Sequence, residues 1–195
     1  MLLPIFRNKF NSINGIENIP QKGPYIIASN HIDFLDGFYV CFGFYMINKH
    51  LIYFLSKTKN YWWTKATLPI DPKNKLQSIE TAVKYLKRGK TICNFIEGKR
   101  NYKKYLLRGK TGSVRMAIKA QIPIIPIGIK GPMEKTFMRS VKKMLTSNNQ
   151  VTINIGEAIT FKKYYGQDLN KKTFHKLTDE VMQKISPLCQ KTYSF

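Results

Sequence analysis

The apolar residues fall into short runs whose spacing switches between two periods. Residues 24–29 (PYIIAS), 51–56 (LIYFLS), 91–96 (TICNFI) and 150–155 (QVTINI) are apolar or alternating and predict strands. Residues 122–129 (IPIIPIGI) are extended and apolar, with prolines punctuating a further strand. Between these runs the spacing becomes helical. Residues 33–47 predict a helix that is apolar almost all round. Leu76, Ile79, Val83 and Leu86 share one face of a helix over 75–88, and Gly89 stops it. Residues 111–120 read as helical, and Leu177, Val181, Ile185 and Leu188 share a face over 172–188. Strands alternating with helices predict an α/β fold, a single domain with a mainly parallel central sheet flanked by helices. The domain is expected over residues 14–195, after a short segment of residues 1–13.

Composition narrows this picture. A chain of 195 residues, 43% hydrophobic and 13% aromatic, is one domain with enough apolar material for a core. The net charge of +22 is extreme and calls for an anionic partner: nucleic acid, an acidic membrane face or a phosphorylated substrate. Most of that charge is lysine, with arginine only at 7, 88, 100, 108, 115 and 139, so it permits such a partner without choosing one. The longest apolar run, Phe38 to Ile47, is about half of the ~20 residues that span a bilayer, so a spanning segment is not expected. Nor is a secretory signal, since MLLPIFRNKF carries Arg7 and Lys9 early. Cys41, Cys93 and Cys189 are odd in number and lack metal-ligand spacing, which fits a reduced, cytosolic setting. His50 and His175 have no partner spacing either, and no metal is expected.

Chemistry concentrates in Ser29-Asn30-His31-Ile32-Asp33-Phe34-Leu35-Asp36. A spacing of five does not place His31 and Asp36 on one helical face. They can meet only if His31 lies in the loop before the helix and Asp36 reaches back from its first turn. The carboxylate would then fix the imidazole tautomer and leave the second ring nitrogen as a general base. The alternative is a capping box, with Asp33 as N-cap, Asp36 bonding back to it and His31 an ordinary loop residue. A second polar segment, Phe95-Ile96-Glu97-Gly98-Lys99-Arg100-Asn101, closes another predicted strand, where open α/β sheets bind ligands. Gly98 would allow close approach of a ligand, and Arg100 can grip a phosphate through two parallel hydrogen bonds. A solvated basic turn is the plainer alternative. A third, Arg108-Gly109-Lys110-Thr111-Gly112-Ser113, leads into a helix whose first N–H groups attract anions, but lacks the full phosphate-loop pattern of a nucleotide site.

The ordered set N-H-x-x-x-x-D, F-x-E-G-x-R, G-K-T-G and I-P-I-I-P-I resembles the phospholipid/glycerol acyltransferase family, whose best known activity is 1-acylglycerol-3-phosphate acyltransferase. The resemblance spans about residues 14–188 and includes the lead-in Gly15-Ile16-Glu17-Asn18-Ile19-Pro20. It implies a glycerolphosphate acyltransferase-like fold. It also implies His31 as the base, Asp36 as its partner, Arg100, Lys110 and Lys99 at the acceptor phosphate, and Glu97 and Gly98 shaping the pocket around the glycerol. Gly112, the last residue of G-K-T-G, is likewise implied in binding the phosphate or glycerol of the substrate. Ile96 and Lys99 replace the family's usual proline and threonine in F-x-E-G-x-R, and Pro69-Ile70-Asp71-Pro72-Lys73 lacks the arginine that usually ends a further family block between N-H-x-x-x-x-D and F-x-E-G-x-R.

The implied substrates are amphiphiles: a lysophospholipid or glycerol-phosphate acceptor and an acyl-CoA or acyl-carrier-protein donor, with no resident cofactor. The implied place is peripheral, on the cytoplasmic side of a membrane. Phe6 in the first segment, and Trp62 and Trp63 between Lys59 and Lys65, are the candidate contacts with an anionic membrane surface. A nucleic-acid-binding module would explain the charge and the aromatics. It would leave the two polar motifs at strand ends without a role, and no nucleic-acid motif is present, so no nucleic-acid partner is expected. Acyl transfer to another acceptor, such as glycerol-3-phosphate, and lipid binding without turnover are the remaining alternatives.

Overall fold

The structure, a computed structural model, describes residues 7–21, 23–49, 51–56, 67–69, 71 and 74–195. Seven strands form one sheet: β1 (Phe10–Asn14), β2 (Ile26–Ser29), β3 (Ile52–Ser56), β4 (Thr67–Pro69), β5 (Thr91–Phe95), β6 (Ile124–Lys130) and β7 (Val151–Ile155). Their spatial order is β1-β7-β6-β2-β5-β3-β4, and every pairing is parallel except β6 with β7. Among the described residues five α-helices connect and cover them: α1 (Asp36–Asn48), α2 (Lys75–Lys87), α3 (Gly112–Ala120), α4 (Phe137–Thr146) and α5 (Lys171–Cys189).

Alternation along the buried strands divides the core into two layers. Ile26 and Ala28 of β2, Ile92 of β5 and Ile124 of β6 face one side, against Val83 and Leu86 of α2, Met116 and Ala117 of α3, and Leu177, Val181 and Ile185 of α5. Tyr25, Ile27, Cys93, Ile125 and Ile127 face the other side, against Tyr39, Val40 and Phe44 of α1. The all-round apolar character of α1 has its cause here. The helix buries Tyr39, Val40, Gly43 and Phe44 and leaves most of its other side chains half-buried.

Three elements were not expected. β1 is polar and short, and it pairs with β7 across most of the chain, so residues 10–13, set apart on sequence, belong to the sheet. β4 has three residues, too few for a period to show. α4 follows an N-cap at Thr136 that accepts from the Arg139 N–H.

β6 and α5 approach unusually closely. A Cβ on Gly128 would stand 2.2 Å from the Leu188 carbonyl carbon and 2.4 Å from the Cys189 nitrogen. Those are backbone atoms, so the clash cannot be relieved by a rotamer change, and overpacking of that kind separates the helix from the sheet. Gly128→Ala is expected to destabilise the protein by about 3 kcal/mol or more, read from the midpoint of a denaturant titration.

Candidate active site

The site is built where β2 and β5, neighbours in the sheet, end together. Ser29 and Phe95 are register partners, so His31 and Glu97, each two residues further on, emerge side by side. The Ile96 N–H continues the ladder to the Ser29 carbonyl at 2.9 Å, and the His31 N–H reaches Glu97 Oε1 at 3.3 Å. On the other flank the Asn30 side chain lengthens the ladder between β2 and β6. Its Nδ2 donates to the Ile129 carbonyl at 2.9 Å, and its Oδ1 accepts from the Ile129 N–H at 2.7 Å.

Asp36 opens α1 and is 1% exposed. One oxygen, Oδ2, accepts three hydrogen bonds: from His31 Nδ1 at 2.7 Å, from the Ile32 N–H at 2.7 Å and from the Asp33 N–H at 2.8 Å. The imidazole contact and the bond back to Asp33 therefore coexist. Asp33 does not cap the helix; Leu35 occupies that position. The Asp33 carboxylate instead accepts from the Leu35 N–H at 2.9 Å, from Ser140 Oγ at 2.9 Å and from the Glu134 N–H at 3.0 Å, fixing the loop to the start of α4. Burial pushes the Asp36 carboxyl above its ordinary range, while the hydrogen bond and charge of His31 and the two backbone N–H groups pull it back.

The His31 ring is stacked on Phe95, centroids 4.0 Å apart and planes within 11°, and its side chain is 15% exposed. With Nδ1 committed to Asp36, Nε2 is the nitrogen that can take a proton.

The second motif divides into residues beneath the site and residues at its mouth. Glu97 is 2% exposed, and Oε2 accepts from the Leu107 N–H at 2.8 Å and from Asn101 Nδ2 at 2.6 Å. With the bond to the His31 N–H, its carboxylate ties three loop positions together beneath His31. Gly98, at φ 75°, turns the chain in a region that disfavours side chains, and Lys110 lies against it. The Lys110 N–H also bonds the Ile96 carbonyl at 2.8 Å. Arg100 is exposed and lays its guanidinium over the Phe34 ring at 3.6 Å, a stacking that leaves its N–H edge free. Among the described residues it meets no carboxylate. Lys99 is exposed next to it. Gly112 is the first residue of α3 and lines a cleft of about 380 Å³ with Leu55, Ile79, Asn94, Arg115 and Met116. A larger concavity of about 730 Å³ lies on α5, around Lys172, His175 and Glu180, and holds none of these residues.

Asn101, the last residue of the second motif, carries a structural role that its sequence position does not announce. Its N–H donates to the His31 carbonyl at 2.7 Å, and its side chain bridges Glu97 to the Tyr105 carbonyl. Ser140 is likewise new, the partner of Asp33. The N-cap pattern before α4 could have drawn attention to that region; its contact with Asp33 could not be read locally. Phe6, Trp62, Trp63 and His50 lie outside the described residues.

Residues 11–130 match the family model described as Acyltransferase, and the chain belongs to that family. It is 26% identical to a protein of Brassica napus named 1-acyl-sn-glycerol-3-phosphate acyltransferase BAT2, chloroplastic, over 89% of this chain and 49% of that one. It is 24% identical to the human 1-acyl-sn-glycerol-3-phosphate acyltransferase alpha over 72% of this chain and 52% of that one. The chain spans about half the length of these curated relatives. Among solved structures, the fold matches PlsC of Thermotoga maritima, described as a 1-acyl-sn-glycerophosphate acyltransferase, with a TM-score of 0.62 at 20% identity over 96% of this chain and 79% of that one.

Asp36→Asn separates the two roles of the carboxylate. A raised pKa means that the folded state gains from this group at low pH and loses that gain as the pH rises through the folded value. At neutral pH the buried charge is then a net cost that the amide removes. The melting temperature of Asp36→Asn should equal or exceed that of the wild type, with the difference growing as the pH rises above the ordinary carboxylate range. Turnover should fall by roughly 100-fold or more, because the imidazole loses its anionic partner.

Proposed function

We propose that the protein transfers a fatty acyl group from an acyl-CoA or acyl-carrier-protein thioester to a hydroxyl of a glycerol-phosphate lipid, with lysophosphatidic acid as the acceptor and phosphatidic acid as the product. The observation that carries this is the 2.7 Å contact between His31 Nδ1 and Asp36 Oδ2 at a strand end crowned by Arg100 and Lys110. The names of the relatives support the same acceptor class.

His31 Nε2 takes the hydroxyl proton as the acceptor oxygen attacks the thioester carbonyl. Asp36 stabilises the imidazolium that forms. The C–S bond breaks, the ester is left on the acceptor, and the departing thiolate recovers the proton from His31. No acyl-enzyme is needed, because the thioester is already activated. Ser29 is fully buried, and its hydroxyl donates to the Asn30 carbonyl, so it is not presented as a nucleophile. Cys93 is buried, with its thiol pushed well above the ordinary range, and is inert at neutral pH. Arg100, Lys110 and Lys99 hold the acceptor phosphate. The apolar wall of the cleft at Gly112, formed by Leu55, Ile79 and Met116 with Arg115 beside it, suits an amphiphile. The amphiphilic substrates put the enzyme at a membrane surface, peripherally and on the cytoplasmic face; no helix among the described residues is long and apolar enough to cross a membrane.

Purified protein given lysophosphatidic acid and a panel of acyl-CoA and acyl-carrier-protein donors should form phosphatidic acid, followed by mass spectrometry. His31→Ala should lower the rate by about 1000-fold or more. Equal product from His31→Ala would sink the mechanism. Arg100→Ala should raise the KM for the acceptor about tenfold, roughly 1.4 kcal/mol, with kcat little changed. Product from a total lipid extract but not from lysophosphatidic acid would overturn the acceptor assignment alone.

A further inference from the structure

α4 carries more apolar surface than the domain covers. Val141 and Met144 pack against the core layer that contains Tyr39, Val40 and Phe44 of α1, and Ser140 is buried against Asp33. The apolar arc continues beyond them. Met138 and Leu145 are 72% and 64% exposed, and Phe137 and Met133, at the entry to the helix, are 44% and 49% exposed. Met138 and Leu145 are spaced i and i+7, so they form one stripe along the outside. Arg139, Lys142 and Lys143 line the flank, Lys135 precedes them, and Phe137–Thr146 contains no acidic residue.

An apolar stripe bordered by cations is the pattern of a helix that lies in a bilayer interface. The cations meet lipid phosphates, and the apolar side chains enter the boundary with the acyl chains. A nucleic acid would satisfy the cations and leave Met138 and Leu145 in water. The stripe is also continuous with the mouth of the site. Phe137 meets Phe34 edge to face, with centroids 6.3 Å apart, and Phe34 carries the Arg100 guanidinium. The first turn of α4 is tied to the catalytic loop through Ser140 and Asp33. We infer that α4, with Met133, is the surface by which the protein docks on an anionic lipid bilayer, holding the His31 loop at the interface. The functional purpose of docking rests on a lipid acceptor; the docking itself is measured without one.

The full chain is sedimented with vesicles of phosphatidylcholine and phosphatidylglycerol, and with vesicles of phosphatidylcholine alone. Wild type should prefer the anionic vesicles. The double variant Met138→Ser, Leu145→Ser should lose at least tenfold in partition, with an unchanged melting temperature and unchanged acyl transfer to detergent-dispersed lysophosphatidic acid. Lys142→Gln with Lys143→Gln should weaken anionic binding severalfold. The same charge removed from α5, by Lys172→Gln with Lys176→Gln, should leave binding within twofold. Equal loss from the α5 pair would show the diffuse charge of the molecule at work and overturn the assignment, as would full binding by the Met138, Leu145 variant. Absence of vesicle binding by the wild type, with transfer from detergent intact, would overturn the docking surface and leave the acyl-transfer reading standing. Binding that follows these expectations without transfer to any acceptor would do the reverse.

Discussion

One buried oxygen organises this molecule. Asp36 Oδ2 takes an imidazole N–H and two backbone N–H groups at the start of α1. Removing a carboxylate from water costs several kcal/mol in a folded protein. Charge-assisted hydrogen bonds, worth about 1.5–3 kcal/mol each, and the positive end of a helix offset that cost. The three bonds also fix backbone. With Ile32 and Asp33 held, the loop after β2 has one path, and His31 has one ring orientation. The imidazole is therefore positioned by the same contacts that make its partner tolerable in the interior.

Four further buried polar residues extend this arrangement outward. Asn30 locks the loop to β6, Glu97 and Asn101 lock it to the segment after β5, and Asp33 locks it to α4. Each uses a side chain to satisfy backbone groups that the sheet abandons where its strands end. The charged residues left over, Arg100, Lys99 and Lys110, stand on this framework as an exposed cationic rim. Buried acids and amides hold the shape while exposed bases line the mouth, so the chemistry there can vary without disturbing the frame.

Much of this was legible in the sequence because the signals were local. β2, β5 and β6 are apolar on both faces, and α2 and α5 repeat their apolar residues at helical spacing. His31 and Asp36 are close enough in the chain for a loop-and-helix geometry to be reasoned out. The rest depended on which strand lies beside which. Nothing in the sequence near Glu97 says that β5 runs next to β2, so its buried bond to the His31 N–H could not be anticipated. The same holds for Asn30 with Ile129 and for Ser140 with Asp33, about a hundred residues apart in each case. β1 escaped because FNSIN has little apolar character, and an edge strand needs little. α4 was missed for a different reason: its inward face holds a serine where a periodic pattern leads one to look for a leucine.

The pairing of β1 has a consequence for the birth of the protein. Asn14 bonds Asn154 across a separation of 140 residues, in a parallel arrangement that no hairpin can supply. A ribosome adds about 5–20 residues each second, so the first strand waits on the order of ten seconds for its partner to emerge. During that interval its edge is unclaimed, and its polar composition, with four Asn or Ser among residues 8–14 as well as Lys9, keeps a nascent chain from adhering to its neighbours. The weak sequence signature of β1 is thus the property that lets it be made early and used last.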